Sequence, residues 1–117
     1  MTTVWPAYSG PDDLASIEAV PVRDRHLPAS VYELLRAAAQ ERPGSVAHLT
    51  MRDGTAWDAP VPRTHAELLE QVHRRANVLS DLGVDRTDVV GLLSVNTAEL
   101  VPTLLAAETV GIAAPLN

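Results

Sequence analysis

The side chains that could carry out chemistry in this 117-residue sequence are histidines, carboxylates, hydroxyls and arginines, because it contains neither cysteine nor lysine. The absence of cysteine excludes a thiolate nucleophile and a cysteine metal cluster. The absence of lysine excludes a Schiff base and the lysine of a phosphate-binding loop. The glycines are too dispersed to form a phosphate cradle, since neither Gly-x-x-x-x-Gly-Lys nor Gly-x-Gly-x-x-Gly occurs.

The four histidines, His26, His48, His65 and His73, lack the spacing of a metal site. No His-x-x-x-His or His-x-x-Glu-His pattern occurs among them. His65 and His73 would lie roughly 80° apart around one helix, so they cannot converge on a small ion unaided. We interpret the histidines as partly exposed structural residues and predict no metal site.

Other polar residues fit helix ends better than catalysis. Asp12 and Asp13 suit the positive end of a helix dipole, although an acid pair is the alternative. Ser30 and Thr64 are each followed three residues later by Glu, which is the spacing of a capping box. No histidine and aspartate accompany either hydroxyl in a triad pattern, so neither is a nucleophile candidate.

Asn96, Arg74 and Arg75 leave two interpretations open. Asn96 could contact a ligand, but capping of the following helix explains it more simply. The Arg74-Arg75 pair could bind an anion, but a solvated helix face is the preferred interpretation. We therefore assign no catalytic, cofactor-binding or metal-binding residue to the sequence.

Composition limits the class of protein. The formal net charge is −6 and all nine basic residues are arginine, so the basic stripe required by nucleic acids or anionic membranes is missing. No apolar run approaches the length of a membrane span. The N-terminus lacks the basic and apolar regions of a signal peptide, so we expect a cytoplasmic protein. Aromatic residues make up only 3% and phenylalanine is absent, so the core must be aliphatic.

The pattern of apolar residues, prolines and glycines predicts an α/β fold. Residues 1–28 are expected to form an extended arm with one short helix, followed by an incomplete subdomain over residues 29–117. In that subdomain we predict helices at 30–42 and 64–82. The apolar stripe of the second helix is expected to extend to Leu82, and Gly83 is expected to end the helix in the left-handed conformation. Asp53-Gly54 is the predicted tight turn of a hairpin of strands 46–51 and 55–59, and a strand, helix and strand follow at 89–94, 96–110 and 112–116. The last three elements form a βαβ unit of a parallel sheet.

The last predicted helix is apolar around most of its circumference, which is typical of a helix buried on all sides. Pro102 lies about six residues after its expected cap, so the helix should kink there or begin later. The chain stops directly after a strand that belongs inside a sheet. We therefore expect the chain to be part of something longer, and to self-associate when isolated.

Several short segments of the sequence match the motifs of one enzyme family in order and spacing. Thr-His-Ala-Glu-Leu at 64–68, with Arg63 before it, resembles Leu-Thr/Ser-Tyr-x-Glu-Leu, the first core motif of the adenylate-forming enzymes, with Arg63 in place of Leu and His65 in place of Tyr. Gly-Ile-Ala-Ala-Pro-Leu-Asn at 111–117 resembles the end of their second core motif, although Glu108 stands where many members carry Lys. Further similar segments are Ala-Asn-Val-Leu at 76–79, Leu-Gly-Val at 82–84, Asp-Val-Val-Gly-Leu-Leu at 88–93, and Asn96 with Glu99. The segments at 17–21 and 27–35 are most similar to acyl-CoA synthetases.

The resemblance implies the N-terminal portion of the large domain of an acyl-CoA synthetase. Such enzymes activate a carboxylic or fatty acid with ATP and Mg²⁺ to an acyl-adenylate and then transfer the acyl group to CoA. Their phosphate loop, nucleotide-binding motifs and catalytic lysine lie downstream of the segments matched here. The resemblance therefore implies that this chain is a structural part of the enzyme, that it contains no cofactor-binding residues, and that it is inactive alone.

Two alternatives remain open at this point. The chain could be a small non-catalytic interaction or oligomerisation module whose apolar surface binds a partner or a second copy. It could also be part of another adenylate-forming enzyme, such as a peptide-synthetase adenylation domain or a fatty-acyl-AMP ligase.

Overall fold

The computed structural model describes residues 7–25, 27–55 and 57–116. Four features of the sequence interpretation lie outside these ranges: the first six residues of the arm, His26, Ala56 in the second predicted hairpin strand, and Asn117 at the end of the second motif.

The described part of the arm predicted over residues 1–28 contains one α-helix, α1 (Pro11–Glu18), and a 3₁₀ turn at Val22–Asp24. Pro11 occupies the first helical position, as its fixed φ favours. Beyond the other end of α1, the Arg25 guanidinium folds back and its Nη2 donates to the Ile17 carbonyl oxygen at 2.7 Å. The same carbonyl accepts from the Val20 amide at 3.3 Å, so the guanidinium adds a second donor at the helix terminus. No residue of α1 is buried.

Helix α2 (Val31–Glu41) begins where the sequence predicts, with Ser30 as its N-cap. The Ser30 hydroxyl accepts a hydrogen bond from the Glu33 amide at 3.1 Å. The Glu33 carboxylate does not complete the predicted reciprocal box, because it accepts from the Ala29 amide at 2.9 Å. The helix start is therefore capped at two successive residues.

The predicted β-hairpin is present, but its second strand was placed too early. β1 (Val46–Thr50) pairs antiparallel with β2 (Val61–Thr64), whereas the described residues of the predicted second strand, 55 and 57–59, lie in turns and bends. The Asp53 carboxylate accepts the Thr55 amide hydrogen at 2.8 Å, which curls the chain into a turn just where the predicted strand should begin. Extended backbone resumes only at β2, so a long connection replaces the predicted tight turn.

Helix α3 (His65–Asp81) follows β2 without a gap and starts at the predicted capping box. The Thr64 side chain accepts from the Glu67 amide, and the Glu67 carboxylate accepts from the Thr64 amide at 2.8 Å. Gly83 has φ +88°, the left-handed conformation predicted for the residue that ends this helix. The prediction that the apolar stripe of α3 extends to Leu82 is wrong, since Leu82 lies at the C-cap and is 75% exposed.

The predicted βαβ unit is formed by β3 (Val89–Leu93), α4 (Leu100–Val110) and β4 (Ile112–Leu116). The two strands pair in parallel, with Leu93 opposite Leu116 at their carboxyl ends. α4 begins at Leu100, later than predicted, so that Pro102 falls in the first turn, where its missing N–H costs nothing. Of the two alternatives the sequence left open, the later start is the one observed.

The core lies where α3 packs on α4, with α2 alongside. It is aliphatic, as the composition predicts. Its buried residues are Leu68, Val72, Ala76 and Ala106, and the partly buried residues around them are Leu35, Ala47, Leu79, Val101, Leu105 and Val110.

Helix α4 is less covered than its apolar sequence predicts. Only Pro102, Ala106 and Ala107 are buried, while Leu104 and Leu105 remain half-buried. The outward face of the β3–β4 sheet is also bare, because Val89 is 63% and Leu93 81% exposed. The predicted burial of this helix on all sides is therefore not reached within this structure.

Candidate functional site

The carboxyl ends of β3 and β4 define the candidate site. Because the two strands are parallel, Leu93 and Leu116 end at the same edge of the sheet. Ligands of open α/β sheets bind outside this edge, where the loops leave the strands. In this chain the segment leaving β3 is residues 94–99, which we call the β3–α4 loop. Its serine, asparagine, threonine and glutamate are the polar groups that the fold brings to this edge.

The surface around the β3–α4 loop is concave on two sides. A depression of about 640 Å³ is lined by Leu93, Ser94, Val95, Asn96 and Leu116. A smaller one of about 260 Å³ lies between β3 and the start of α4, and Ser94 and Glu99 contribute to its lining. Both are lined by apolar and polar residues together, a combination that suits a ligand with an apolar body and a polar end.

Asn96 does not cap α4, contrary to the preferred interpretation of the sequence. The N-cap is Glu99, which has helical backbone angles and makes no side-chain cap hydrogen bond. The displacement follows from the late start of α4, which places Asn96 four residues before the helix. Asn96 is exposed and lines the larger depression. Of the two interpretations left open, the structure removes the capping role and leaves the side chain available at the candidate site.

Arg63 and Arg75 hold the far end of the β3–α4 loop. Arg63 extends from β2, and its Nη1 donates to the Ala98 carbonyl oxygen at 2.7 Å. Arg75 extends from α3, and its guanidinium forms an ion pair with the Glu99 carboxylate. Two elements distant in sequence thus contact adjacent residues of the loop.

The solvated helix face predicted for the two neighbouring arginines holds for only one of them. Arg74 pairs with Glu70 on the same helix, and its side chain is 74% exposed. The Arg75 side chain is only 25% exposed. Burial, and secondarily the charge of Arg63, lower the pKa of the Arg75 guanidinium. It nevertheless remains charged, because arginine does not deprotonate in proteins.

The sequence did contain a signal for Arg75. Arg75 lies seven residues after Leu68 and four before Leu79. At 100° per residue this position falls within the apolar stripe of α3, so the side chain must point toward the protein. A charge at a stripe position predicts an ionic partner, and here that partner, Glu99, has a side chain that is 64% exposed. For Arg63 the signal was its departure from the leucine of the resembled motif.

The three described histidines, His48, His65 and His73, are dispersed over the fold. His73 on α3 lies 3.0 Å from the Tyr32 hydroxyl oxygen, measured from its Nε2, and so joins α3 to α2. His48 lies on β1 with its Nε2 3.4 Å from the Thr50 hydroxyl. His65 is the first residue of α3, and its backbone amide donates to the Ser45 carbonyl. Within residues 7–25, 27–55 and 57–116, no three His, Asp or Glu side chains form a cluster that could hold a metal ion.

The remaining candidates have helix-end roles. Asp12 and Asp13 lie in the first turn of α1, and the Asp13 carboxylate accepts from the Ser9 amide at 2.9 Å. Ser30 and Thr64 are the N-caps of α2 and α3. Hydrogen bonds from the Thr64 amide and hydroxyl lower the pKa of the Glu67 carboxyl. These groups stabilise helix termini.

Comparison with known proteins yields a family match. The model of the family described as AMP-binding enzyme matches residues 35–117. That range contains both motif segments, the hairpin, α3 and the βαβ unit. No curated protein matches the chain.

Solved structures of adenylate-forming enzymes are similar in fold. A Mycobacterium tuberculosis fatty acyl CoA synthetase is 26% identical with a TM-score of 0.61, over 75% of this chain and 16% of that one. A protein described as a long-chain-fatty-acid CoA ligase from Rhodopseudomonas palustris is 27% identical with a TM-score of 0.65, over 75% and 21%. The N-terminal domain of FACL13 from Mycobacterium tuberculosis is 26% identical with a TM-score of 0.61, over 75% and 21%. The chain therefore spans about a fifth of the length of the structures that it resembles.

No described helix is long and apolar enough to cross a bilayer.

Proposed function

The chain belongs to the AMP-binding enzyme family, and from that premise we propose that it forms part of the N-terminal domain of an ATP-dependent acyl-CoA synthetase. Its role there is to position other parts of the domain. The complete enzyme would join a carboxylic acid to AMP with release of pyrophosphate, and then transfer the acyl group to the thiol of CoA. Similarity to structures described as fatty acyl CoA synthetases and ligases supports this substrate class.

The observation that carries the proposal is the continuous unit from β2 through α3 to β4. One motif segment supplies the capping box of α3, and the other supplies Gly111 and β4. Both segments thus build the packing between α3 and the βαβ unit. Neither offers a group that reacts with a carboxylate or a phosphate.

The residues of this chain do not fit the triphosphate of ATP or its Mg²⁺. The sequence has no lysine, and no acidic or histidine cluster for a cation occurs in the described part of the chain. We therefore place no step of the reaction on these side chains. We infer that the 117-residue chain by itself does not activate carboxylates.

The test combines the gene and the isolated chain. The open reading frame around these codons is determined, and the intact mass of the natural product is measured. A continuous product with a Ser/Thr/Gly-rich loop downstream should form acyl-adenylate and acyl-CoA from ATP, fatty acid and CoA, while the pure 117-residue chain shows no ATP–pyrophosphate exchange. Exchange by the pure chain would overturn the assignment of the chemistry to other residues. Adenylate without thioester would identify an acyl-AMP ligase instead.

The exposed surface favours a second candidate function, self-association. The accessible surface is 8791 Å², whereas a compact monomer of this mass exposes about 6,200 Å². The radius of gyration is 17.1 Å, against about 13.4 Å for a compact chain of this length. Part of this excess belongs to the arm, where α1 buries no residue. The part that favours association is the apolar sheet face, where Val89 is 63% and Leu93 81% exposed.

A further inference from the structure

The β3–α4 loop makes few contacts of its own that could fix its shape. Within it, the Ser94 hydroxyl donates to the neighbouring Val95 carbonyl at 2.9 Å. At its end, the Leu100 amide donates to the Thr97 carbonyl at 3.2 Å, and Glu99 lacks a capping hydrogen bond. Among the described residues, the side-chain hydrogen bonds that connect the loop to elements distant in sequence are those of Arg63 and Arg75.

The backbone of Arg63 is fixed both by strand pairing and by the start of the next helix. His48 is its pairing partner on β1. Directly after it, the capping box at Thr64 fixes the start of α3. Its guanidinium therefore reaches the Ala98 carbonyl from a backbone that the hairpin and the helix both determine.

The Arg75 guanidinium is oriented by contacts within α3 as well as by its contact with the loop. Its Nη1 donates to the Gln71 carbonyl at 3.1 Å and lies 3.4 Å from the Gln71 side-chain oxygen. Its Nη2 faces the Glu99 carboxylate. The Arg75 side chain is three-quarters covered, whereas that of Glu99 is 64% exposed, so water screens the ion pair from the Glu99 side only.

The two contacts act on one short stretch. Ala98 and Glu99 are adjacent, and each is bound by one guanidinium. The Glu99 backbone carbonyl also accepts from the Thr103 amide at 3.1 Å and the Thr103 hydroxyl at 2.7 Å. Glu99 therefore transmits the position of α3 to the first turn of α4.

We propose that Arg63 and Arg75 are positioning residues that clamp the β3–α4 loop to β2 and α3, and thereby set where Asn96 lies at the carboxyl edge of the sheet. This inference rests on the proposed function for its meaning, because it concerns the loop of the candidate site. Its test does not depend on catalysis. Loss of the clamp should loosen the loop and the first turn of α4 while the core stays folded.

The experiment is hydrogen–deuterium exchange of the 117-residue chain, read by mass spectrometry at a concentration where it is monomeric. The variant is Arg75→Gln, and the matched control is Arg74→Gln, which removes the neighbouring arginine and its local ion pair. We expect exchange about three- to fivefold faster in Arg75→Gln at residues 100–104, the range that loss of a partly exposed ion pair produces. Residues 68–78 in the core should be unchanged, and Arg74→Gln should leave both segments at the wild-type rate.

Two further variants keep the result decisive. Arg63→Leu removes the other contact and inserts the residue type of the resembled motif, so it should accelerate exchange in the same segment. The double variant Arg75→Glu with Glu99→Arg should recover at least part of the protection, because the ion pair is reversed. Equal exchange in Arg75→Gln and Arg74→Gln, or uniform acceleration across the whole chain, would overturn the proposal. Inactivity of the full-length product with unchanged exchange results would instead refute only the proposed function.

Discussion

Of the six possible glycine-to-alanine substitutions, Gly111→Ala should lower the free energy of unfolding most. A Cβ at Gly111 would lie 2.8 Å from the carbonyl oxygens of both Asp85 and Asp88, and 3.4 Å from Cγ1 of Val84. The two oxygens belong to backbone, so they cannot rotate away as a side chain would. The Ile112 amide donates to the same Asp88 oxygen at 2.9 Å. The added methyl therefore pushes apart the point where β4 joins the turn before β3.

Overpacking of this kind costs about 1–3 kcal/mol, and two simultaneous backbone contacts place Gly111→Ala at the upper end, about 2–3 kcal/mol. For a domain of this length such a loss lowers the Tm by about 10 °C. The assay is urea and thermal unfolding followed by circular dichroism, with Gly44→Ala as the control. A Cβ at Gly44 meets nothing within 4 Å, and its φ is not in the left-handed region. Equal stability of the two variants would refute the argument, whereas a Gly111→Ala chain too unstable to fold would exceed the predicted loss.

Three further predictions concern the core, pH and association. Val72→Ala should lower the free energy of unfolding by about 2 kcal/mol, because Val72 is fully buried and its truncation leaves a cavity. Val78→Ala, at a site that is 58% exposed on the same helix, should lower it by less than about 0.5 kcal/mol. Equal losses for the two variants in urea unfolding would contradict the described core. The pKa of the Glu67 carboxyl is lowered in the folded state, so its stabilising contribution is complete above the unfolded pKa and is lost as pH falls through the folded pKa. Glu67→Gln should therefore flatten the acid side of the stability profile, and an unchanged slope would count against this. In sedimentation velocity, Leu93→Glu should raise the fraction of monomer, because Leu93 is 81% exposed on the bare sheet face. Leu82→Glu, at a similarly exposed site at the C-cap of α3, should leave that fraction unchanged. The same shift in both variants would show that the sheet face is not the surface of association.

The elements that sequence could predict are those fixed by nearby residues. The start of α3 depends on Thr64 and Glu67, which lie one helical turn apart, so the capping box was readable before any fold was known. Its end depends on Gly83, where a positive φ excludes most other residues. The strand assignments of β3 and β4 follow from continuous apolar runs, and their parallel pairing follows from the intervening helix.

The features that sequence mispredicted depend on distant partners. The sequence predicts a tight hairpin turn at Asp53-Gly54, yet the strand that pairs with β1 begins only at Val61. Its register depends on which residues of β1 it pairs with, and a local turn signal does not contain that information. Asn96 has an N-cap side chain, but the cap position is decided by where α4 can begin, and Pro102 moves that point to Leu100. Each residue type was interpreted correctly in isolation, and each outcome was decided by a competing constraint.

The same reasoning explains why the candidate site is only partly readable from the motifs. The first motif segment contributes Thr64 and Glu67 to a helix cap, whose geometry is local. Arg63, directly before it, contributes through a contact 35 residues away, at Ala98. A guanidinium there can reach a backbone carbonyl that the leucine of the resembled motif could not hydrogen-bond. A departure from a motif at a half-buried position therefore indicates a long-range partner, and in this chain that partner is the loop at the carboxyl edge of the sheet.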